Sequence, residues 1–469
     1  CIHRLRHDDR GGYADRKTAG PVDAVLVSPR AAIQLPRHDA LATAGATRDP
    51  ELMENKPDQG RRADRIAVLL PSLEGGGAER SMLTLVEAFL AQGRTVDLVL
   101  CKAKGAYINE IPAGATKIEL RASGDLRARW NLAMAHKQDL SALLRPVLLA
   151  KKNAPEVARI RSLQHYIDQQ RPDVILSALS YANLAAIWAK QISQLKVPVV
   201  VSERNALHTY CAAPANHRKW RWRYLPEVVR RTYPGADAVV AVSEHVAEEL
   251  ITGIGLEPGS VRTIHNPVVD DSVRTKAAMT PDHPWFAADG VPVVLGVGRL
   301  ATQKDFATLV NAFAQVRKNR RARLVILGEG RLRKDLEKQV AGLGIQADVD
   351  MPGFVANPFQ YMARSSVLVS SSIFEGLPGV LIQALACGCP VVSTDCPGGS
   401  AEVLVDGHYG ALVDIGDADA MARAIMAELD NPTARDMLLQ RAEDFSVKRA
   451  AGHYLELLDN VVSQAADRH

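Results

Sequence analysis

Residues 66–100 read IAVLLPSLEGGGAERSMLTLVEAFLAQGRTVDLVL, and this stretch decides the fold class. Ile66-Ala67-Val68-Leu69-Leu70 is an unbroken apolar run. A strand on a half-solvated sheet would alternate, so the run predicts a parallel strand buried on both faces. Pro71 to Gly77 makes a turn. Met82, Leu85, Val86, Phe89 and Leu90 then recur at helical spacing, and Gly93 ends the helix. Thr95 to Leu100 is the next strand. The unit is strand, helix, strand.

The unit repeats along the chain. Strands are predicted at 173–178, 197–202, 238–242 and 261–264, with helices at 182–194 and 244–251. Residues 268–290 break the pattern with Asp270-Asp271, Pro281, Pro284 and Gly290, and read as a linker. The alternation restarts with strands at 292–297, 323–327, 348–351, 366–370 and 390–393. Helices follow the same rhythm at 305–319, 331–341, 378–387 and 417–429. A final apolar helical stretch runs from Tyr454 to Val462. The chain is therefore expected to fold as two tandem Rossmann-like α/β domains, over 65–268 and 291–445, joined by a linker at 269–290. In open parallel sheets ligands bind beyond the carboxyl ends of the strands, so two such domains facing a central cleft suit two substrates.

Composition narrows the function classes. The 469 residues are 47% hydrophobic and 23% charged, ordinary for a globular protein and enough for two or three domains. Aromatics are only 5%, and 57 Lys+Arg against 53 Asp+Glu leave a net charge of +4. Neither suits a nucleic-acid platform. No run of 18 apolar residues predicts a membrane span. The six cysteines are too sparse for a disulfide scaffold, and Cys387, Cys389 and Cys396 fit no common zinc spacing. Reduced thiols and a cytoplasmic protein, possessing no metal site, are expected. Residues 1–64 lack periodicity and any signal-peptide layout, and read as a disordered extension. The first residue is Cys1, and Met53 is a candidate start.

Three loops carry candidate chemistry, each where a strand gives way to a helix. The first is Leu73-Glu74-Gly75-Gly76-Gly77-Ala78-Glu79-Arg80. Its glycines permit close backbone approach, and the helix start offers free N–H groups to an anion. A dinucleotide fingerprint would need glycine at Arg80. A tight turn without a ligand is the bland alternative. The second is Gly298-Arg299-Leu300-Ala301-Thr302-Gln303-Lys304-Asp305. A guanidinium fork and a movable ammonium suit a diphosphate, unless both are solvated surface cations. The third is Ser370-Ser371-Ser372-Ile373-Phe374-Glu375-Gly376-Leu377-Pro378-Gly379. Gln383 follows Glu375 by eight positions.

Together these segments resemble retaining glycosyltransferases of family 4. The likeness spans residues 65–465 and is most specific in Glu375-Gly376-Leu377-Pro378…Ala386-Cys387-Gly388-x-Pro390-Val391-Val392, with Asp395-Cys396-Pro397-Gly398-Gly399 and Asp406-Gly407-x-x-Gly410 also fitting. The resemblance implies the GT-B fold, with a last helix at 446–469 crossing back to the first domain. It implies a nucleoside-diphosphate sugar, UDP the expected carrier, bound mainly by the second domain. Arg299 and Lys304 match the diphosphate-binding pair. Glu375 matches the first Glu of the E-x7-E motif, which meets the donor sugar. Gly75, Gly76 and Gly77 in the first domain, and Gly298, Gly328, Glu329, Gly376, Leu377, Pro378 and Gly379 in the second, fall at donor-binding positions.

The sequence departs at the second Glu of that motif, where Gln383 keeps an acceptor oxygen and loses the charge that would bind the ribose. No D-x-D sits on a loop after a strand, so the reaction implied is retaining transfer without a metal or other cofactor. Ser202-Glu203-Arg204-Asn205 resembles a segment of relatives acting on envelope polysaccharides, such as lipopolysaccharide. Glu203 is a candidate contact to donor or acceptor, or else a paired surface carboxylate. Asn183 and His208 are weaker acceptor-side candidates. Residues 217–231 interleave cations with Trp220, Trp222 and Tyr224. They suit a peripheral site on an anionic membrane presenting a lipid-linked acceptor, or else a solvated helix with tryptophan in the core. A catalytically impaired nucleotide-binding scaffold is the alternative to an enzyme, with Gln383 its only support.

Overall fold

The computed structural model describes residues 62–124, 129–130, 132–133, 140–149, 154–287 and 290–468. The expected extension, with Cys1 and Met53, lies outside them except for Arg62–Asp64. Of those three, Ala63 is fully buried, and the exposed Asp64 accepts the Thr95 amide on its backbone carbonyl.

Seven parallel strands form the first sheet: β1 (Arg65–Leu70), β2 (Thr95–Leu100), β3 (Thr116–Glu119), β4 (Val174–Ala178), β5 (Val199–Glu203), β6 (Ala238–Ala241) and β7 (Val261–Thr263). Their spatial order is β3-β2-β1-β4-β5-β6-β7. Six more form the second: β8 (Val293–Val297), β9 (Arg323–Leu327), β10 (Val349–Gly353), β11 (Val367–Ser370), β12 (Val391–Thr394) and β13 (Ala411–Val413), in order β10-β9-β8-β11-β12-β13. The order reverses between β1 and β4 and again between β8 and β11. Strands such as β4, buried along their whole length, explain why the apolar runs do not alternate.

Two edge strands escape the sequence reading. β3 has one apolar residue in four, and β13 is three residues long. The helix at Ile160–Gln170 was also unforeseen, and so was Arg435–Ala442. The segment 269–290 is more structured than a linker. Asp270 caps a helix at Asp271–Ala278, its Oδ1 accepting from the amides of Ser272 at 2.8 Å and Val273 at 3.2 Å. A cap acts through backbone groups, which the sparse apolar pattern does not register.

The last helix, Val447–Ala466, is longer than its apolar stretch because Ser446 caps it. It packs on the first sheet. Tyr454, Leu457, Leu458, Val461 and Val462 share one core with Ile66, Val68, Met82, Phe89, Val200 and Val240. Each such side chain stabilises by about 1.5–3 kcal/mol through burial. Arg94, almost wholly buried, reaches Asp459 of this helix, with NH2 at 2.7 Å from Oδ2 and NH1 at 2.9 Å from Oδ1. Asp459 Oδ1 also accepts the Ala63 amide at 2.8 Å.

Replacing Asp459 by alanine strands the Arg94 charge. The cost expected is about 2 kcal/mol, below the range for fully buried pairs because Asp459 is a third exposed. Equilibrium denaturation measures it; an unchanged midpoint would mean that apolar contacts alone hold the helix.

Candidate active site

The second sheet builds its site from loops that leave neighbouring strands. Gly298, after β8, donates its amide to the Leu327 carbonyl at the end of β9, and Leu300 donates to Glu329. These bonds extend the sheet by two residues and aim Arg299 and Lys304 past its edge. Gly328 sits at φ 137°, and a Cβ there would stand 2.0 Å from the Gly298 carbonyl oxygen. Only glycine fits.

Lys304 and Glu375, 71 positions apart, meet directly. The Lys304 ammonium donates to Glu375 Oε1 at 2.5 Å, and the Ser372 hydroxyl donates to the same oxygen at 2.6 Å. The two loops are stitched around this pair. Ile373 donates its amide to the Gln303 carbonyl at 2.8 Å, Gln303 Nε2 donates to the Phe374 carbonyl at 2.9 Å, and the Ser371 hydroxyl donates to the Lys304 carbonyl at 2.8 Å. The Glu375 amide is held by the Pro397 carbonyl at 2.9 Å. Glu375 is buried, and Lys304 supplies the counter-charge at its Oε1.

The other second-domain residues fall nearby. The Lys304 side chain lies over Gly298. Arg299 is exposed, and its guanidinium has no hydrogen-bonding partner among the described residues. Leu377 and Pro378 are buried ahead of the helix Gly379–Ala386, which carries Gln383 half-buried. Glu329 turns outward to Arg333 NH1 at 2.7 Å.

The first domain closes over this group. Gly376 lies so near Arg204 that a Cβ would stand 2.2 Å from the Arg204 carbonyl oxygen. The Ser243 hydroxyl donates to the Gly376 carbonyl at 3.1 Å. Glu402 accepts the Glu244 amide at 2.8 Å and meets His265 Nε2 at 2.5 Å. The Tyr210 and Phe374 rings sit edge to face, 6.1 Å between centroids. The Gly75–Gly77 loop opens the helix Gly77–Ala91 after β1. Arg80 does not face it but pairs with Glu110 and lies over the Tyr107 ring.

The acceptor-side candidates are placed differently. Glu203 is not a surface carboxylate: it is fully buried. Its Oε2 accepts the Tyr233 hydroxyl at 2.8 Å, and its Oε1 accepts the Ser180 hydroxyl at 3.1 Å. Burial pushes its carboxyl up to about 7, against the pull of these donors. Asn183 is buried beside it and donates to the Tyr233 hydroxyl at 3.0 Å. Both belong to a network inside the domain. His208 is exposed and packs against Gly253. Three residues that organise the site were assigned no role from the sequence: Ser372, Ser243 and Arg204, the first and last within segments quoted above. Their position at the carboxyl ends of β11, β6 and β5 was the cue available.

Among the described residues no three His, Cys, Asp or Glu side chains gather to hold a metal. The five described cysteines are free and buried. No helix is long and apolar enough to cross a membrane. Trp222 is packed edge to face against Tyr181 and Tyr210, so it is not free to meet one.

Comparison with known proteins agrees with this architecture. The family model described as Glycosyltransferase Family 4 matches residues 75–272, and that described as Glycosyl transferases group 1 matches 283–445. The chain is 26% identical over 380 residues to N-acetylgalactosamine-N,N'-diacetylbacillosaminyl-diphospho-undecaprenol 4-alpha-N-acetylgalactosaminyltransferase of Campylobacter jejuni, covering 81% of this chain and 94% of that protein. It is 28% identical to the lipopolysaccharide core biosynthesis glycosyltransferase LpsE of Rhizobium meliloti, covering 82% and 96%. Among solved structures, Anabaena HepE in complex with UDP superposes with a TM-score of 0.63 at 19% identity, covering 84% of this chain and all of that one. With a family model matched in each of its two sheets' domains, and the GT-B arrangement of both, the chain belongs to the glycosyltransferases of family 4 and group 1.

Proposed function

We propose that this glycosyltransferase moves a sugar from a nucleoside diphosphate, UDP the expected carrier, onto a lipid-linked glycan during surface-polysaccharide assembly, with retention of configuration and no metal. The observation that carries the reading is the Lys304–Glu375 pair at the reversal point of the second sheet. It sets a cation for a diphosphate beside a carboxylate for sugar hydroxyls. Relatives support the substrate class. The C. jejuni enzyme acts on a diphospho-undecaprenol glycan, LpsE on lipopolysaccharide core, and HepE holds UDP-glucose in one structure.

In the step proposed, the bond from the anomeric carbon to the diphosphate breaks while the acceptor oxygen bonds that carbon. The acceptor proton passes to the departing phosphate. Arg299 and Lys304 neutralise the charge that grows there, the role cations play wherever phosphate leaves. Glu375 Oε1 is already engaged by Lys304 and Ser372, which suits a carboxylate that orients the sugar rather than attacks it. Gln383 lies one helix turn into Gly379–Ala386, where a neutral amide would meet the ribose.

The membrane surface proposed for residues 217–231 draws on a wider face. Trp220 is 48% exposed, and Trp130, Leu144 and Leu149 are also exposed. The short helix Trp220–Arg223 packs on the segment Leu144–Leu148, and Arg145 donates to the Tyr224 hydroxyl at 2.9 Å. Arg218, Lys219 and Arg223 are exposed around them. Apolar rings within a rim of cations fit an anionic bilayer.

Four outcomes test the reading. UDP at 100 times its Kd should stabilise the full chain by about 2.7 kcal/mol in a thermal shift. Arg299→Ala and Lys304→Ala should each weaken UDP by about tenfold, a charge-assisted bond's share, and Glu375→Ala should lose most turnover; full activity in Glu375→Ala would refute the site. Gln383→Glu restores a charge on a bond that ionisation makes roughly twice as strong. It should lower the donor KM several-fold, and an unchanged or raised KM sinks the ribose contact. Anionic vesicles should sediment the protein in a salt-sensitive way. Arg218→Glu with Lys219→Glu should reduce that by about 1 kcal/mol per site, while binding indifferent to salt and to both changes removes the membrane claim.

A further inference from the structure

Arg204 is the most poorly satisfied charge among the described residues. It follows β5 at its carboxyl end and is only 4% exposed. One edge of the guanidinium is used: NH1 donates to the Ser202 hydroxyl at 3.2 Å and the Tyr454 hydroxyl at 3.3 Å. The other edge is not. Nε and NH2 are buried with no partner. That edge is the guanidinium's parallel fork, the same one with which Arg230 grips Glu227 through Nε at 2.9 Å and NH2 at 2.8 Å. A buried cation without a counter-charge is costly, and an unsatisfied group of this kind calls for a missing ion or a functional role.

The two carboxylates that act on Arg204 through their charge do not fill the fork. Glu203 points to the opposite face of the sheet and is consumed by Tyr233 and Ser180. Glu79, in the first turn of Gly77–Ala91, acts on Arg204 through space only; its carboxylate folds over Gly76, where a Cβ would stand 2.3 Å from Oε2. Glu79 belongs to the helix that the first-domain glycine loop opens, and the Arg204 carbonyl lies against Gly376, so Arg204 stands between those two loops.

We propose that Arg204 is a phosphate-binding residue of the cleft, its Nε–H and NH2 fork receiving a phosphate of a substrate. The proposal rests on the cleft taking a phosphorylated substrate, as argued above. Gly376 of the second domain packs against the Arg204 carbonyl, and in this proposal the fork meets its phosphate when the two domains part. A planar two-donor edge matches two oxygens of one phosphate. Donor diphosphate and acceptor phosphate offer the same chemistry.

Calorimetry on the full chain separates them. UDP is titrated into wild type, Arg204→Gln and Arg204→Lys, and inorganic pyrophosphate is titrated into each protein with and without saturating UDP. If the donor is the source, UDP weakens about tenfold in Arg204→Gln. If the acceptor is, UDP holds within twofold, and pyrophosphate binding to the UDP-saturated wild type is lost in Arg204→Gln. A purely structural Arg204 would move the melting temperature but neither affinity, and UDP and pyrophosphate both within twofold of wild type overturn the proposal. Should Arg204→Gln not fold, Arg204→Lys decides alone: it keeps the charge, loses the fork, and should bind about fivefold more weakly, whereas wild-type affinity overturns the proposal. A wild type that binds pyrophosphate but no UDP would sink the donor reading while leaving Arg204 to the pyrophosphate arm; one that binds neither sinks both.

Discussion

Each sheet reverses its strand order once, and the rest of the molecule follows from where. At a reversal the flanking strands send their connections to opposite faces, so the carboxyl edge there stays uncovered. In the first sheet the point falls between β1 and β4, beside the glycine loop. In the second it falls between β8 and β11, and those strands deliver Lys304 and Glu375 to one place. Parallel strands allow this because every carboxyl end points the same way.

The second-domain loops are held rigidly by bonds that are mostly to backbone. Gln303, Ser371 and Pro397 position the chain around Glu375, and Ser243 reaches across from the first domain. The side chains of Arg299 and Gln383 take no part in this bracing among the described residues. Lys304 and Glu375 satisfy each other within the closed cleft. A diphosphate and a sugar would have to compete with that pairing, so the site holds its charges without burying either alone.

Most of the fold was legible because burial on both faces writes itself into unbroken apolar runs. β1, β4 and β8 stand within two residues of where the sequence put them. β3 and β13 were not legible, since β3 has a single apolar residue and β13 is three residues long with none fully buried. The helix at Asp271–Ala278 was hidden for a related reason: its signal is the cap at Asp270 in a segment poor in apolar residues. At the site, Gly298, Lys304 and Glu375 could be read as loop chemistry at strand ends. Glu203 could not be placed, because a carboxylate after a strand looks the same whether it faces a cleft or a tyrosine hydroxyl in the interior. Arg204 could be read only as a member of the Ser202-Glu203-Arg204-Asn205 segment, because a buried unpaired guanidinium shows only in three dimensions.

The Val447–Ala466 helix carries a consequence for synthesis. Ile66, Val68 and Met82 emerge from the ribosome well before the Tyr454, Leu458 and Val461 side chains that cover them. Domains usually fold in order of emergence. Here the first domain must wait, with one face of its sheet bare, until those covering residues have emerged. The second domain, whose own core over Val294, Phe313 and Ile425 needs nothing from those final turns, can be finished first. The amino-terminal half is thus the one exposed longest to chaperones and to aggregation in the cell.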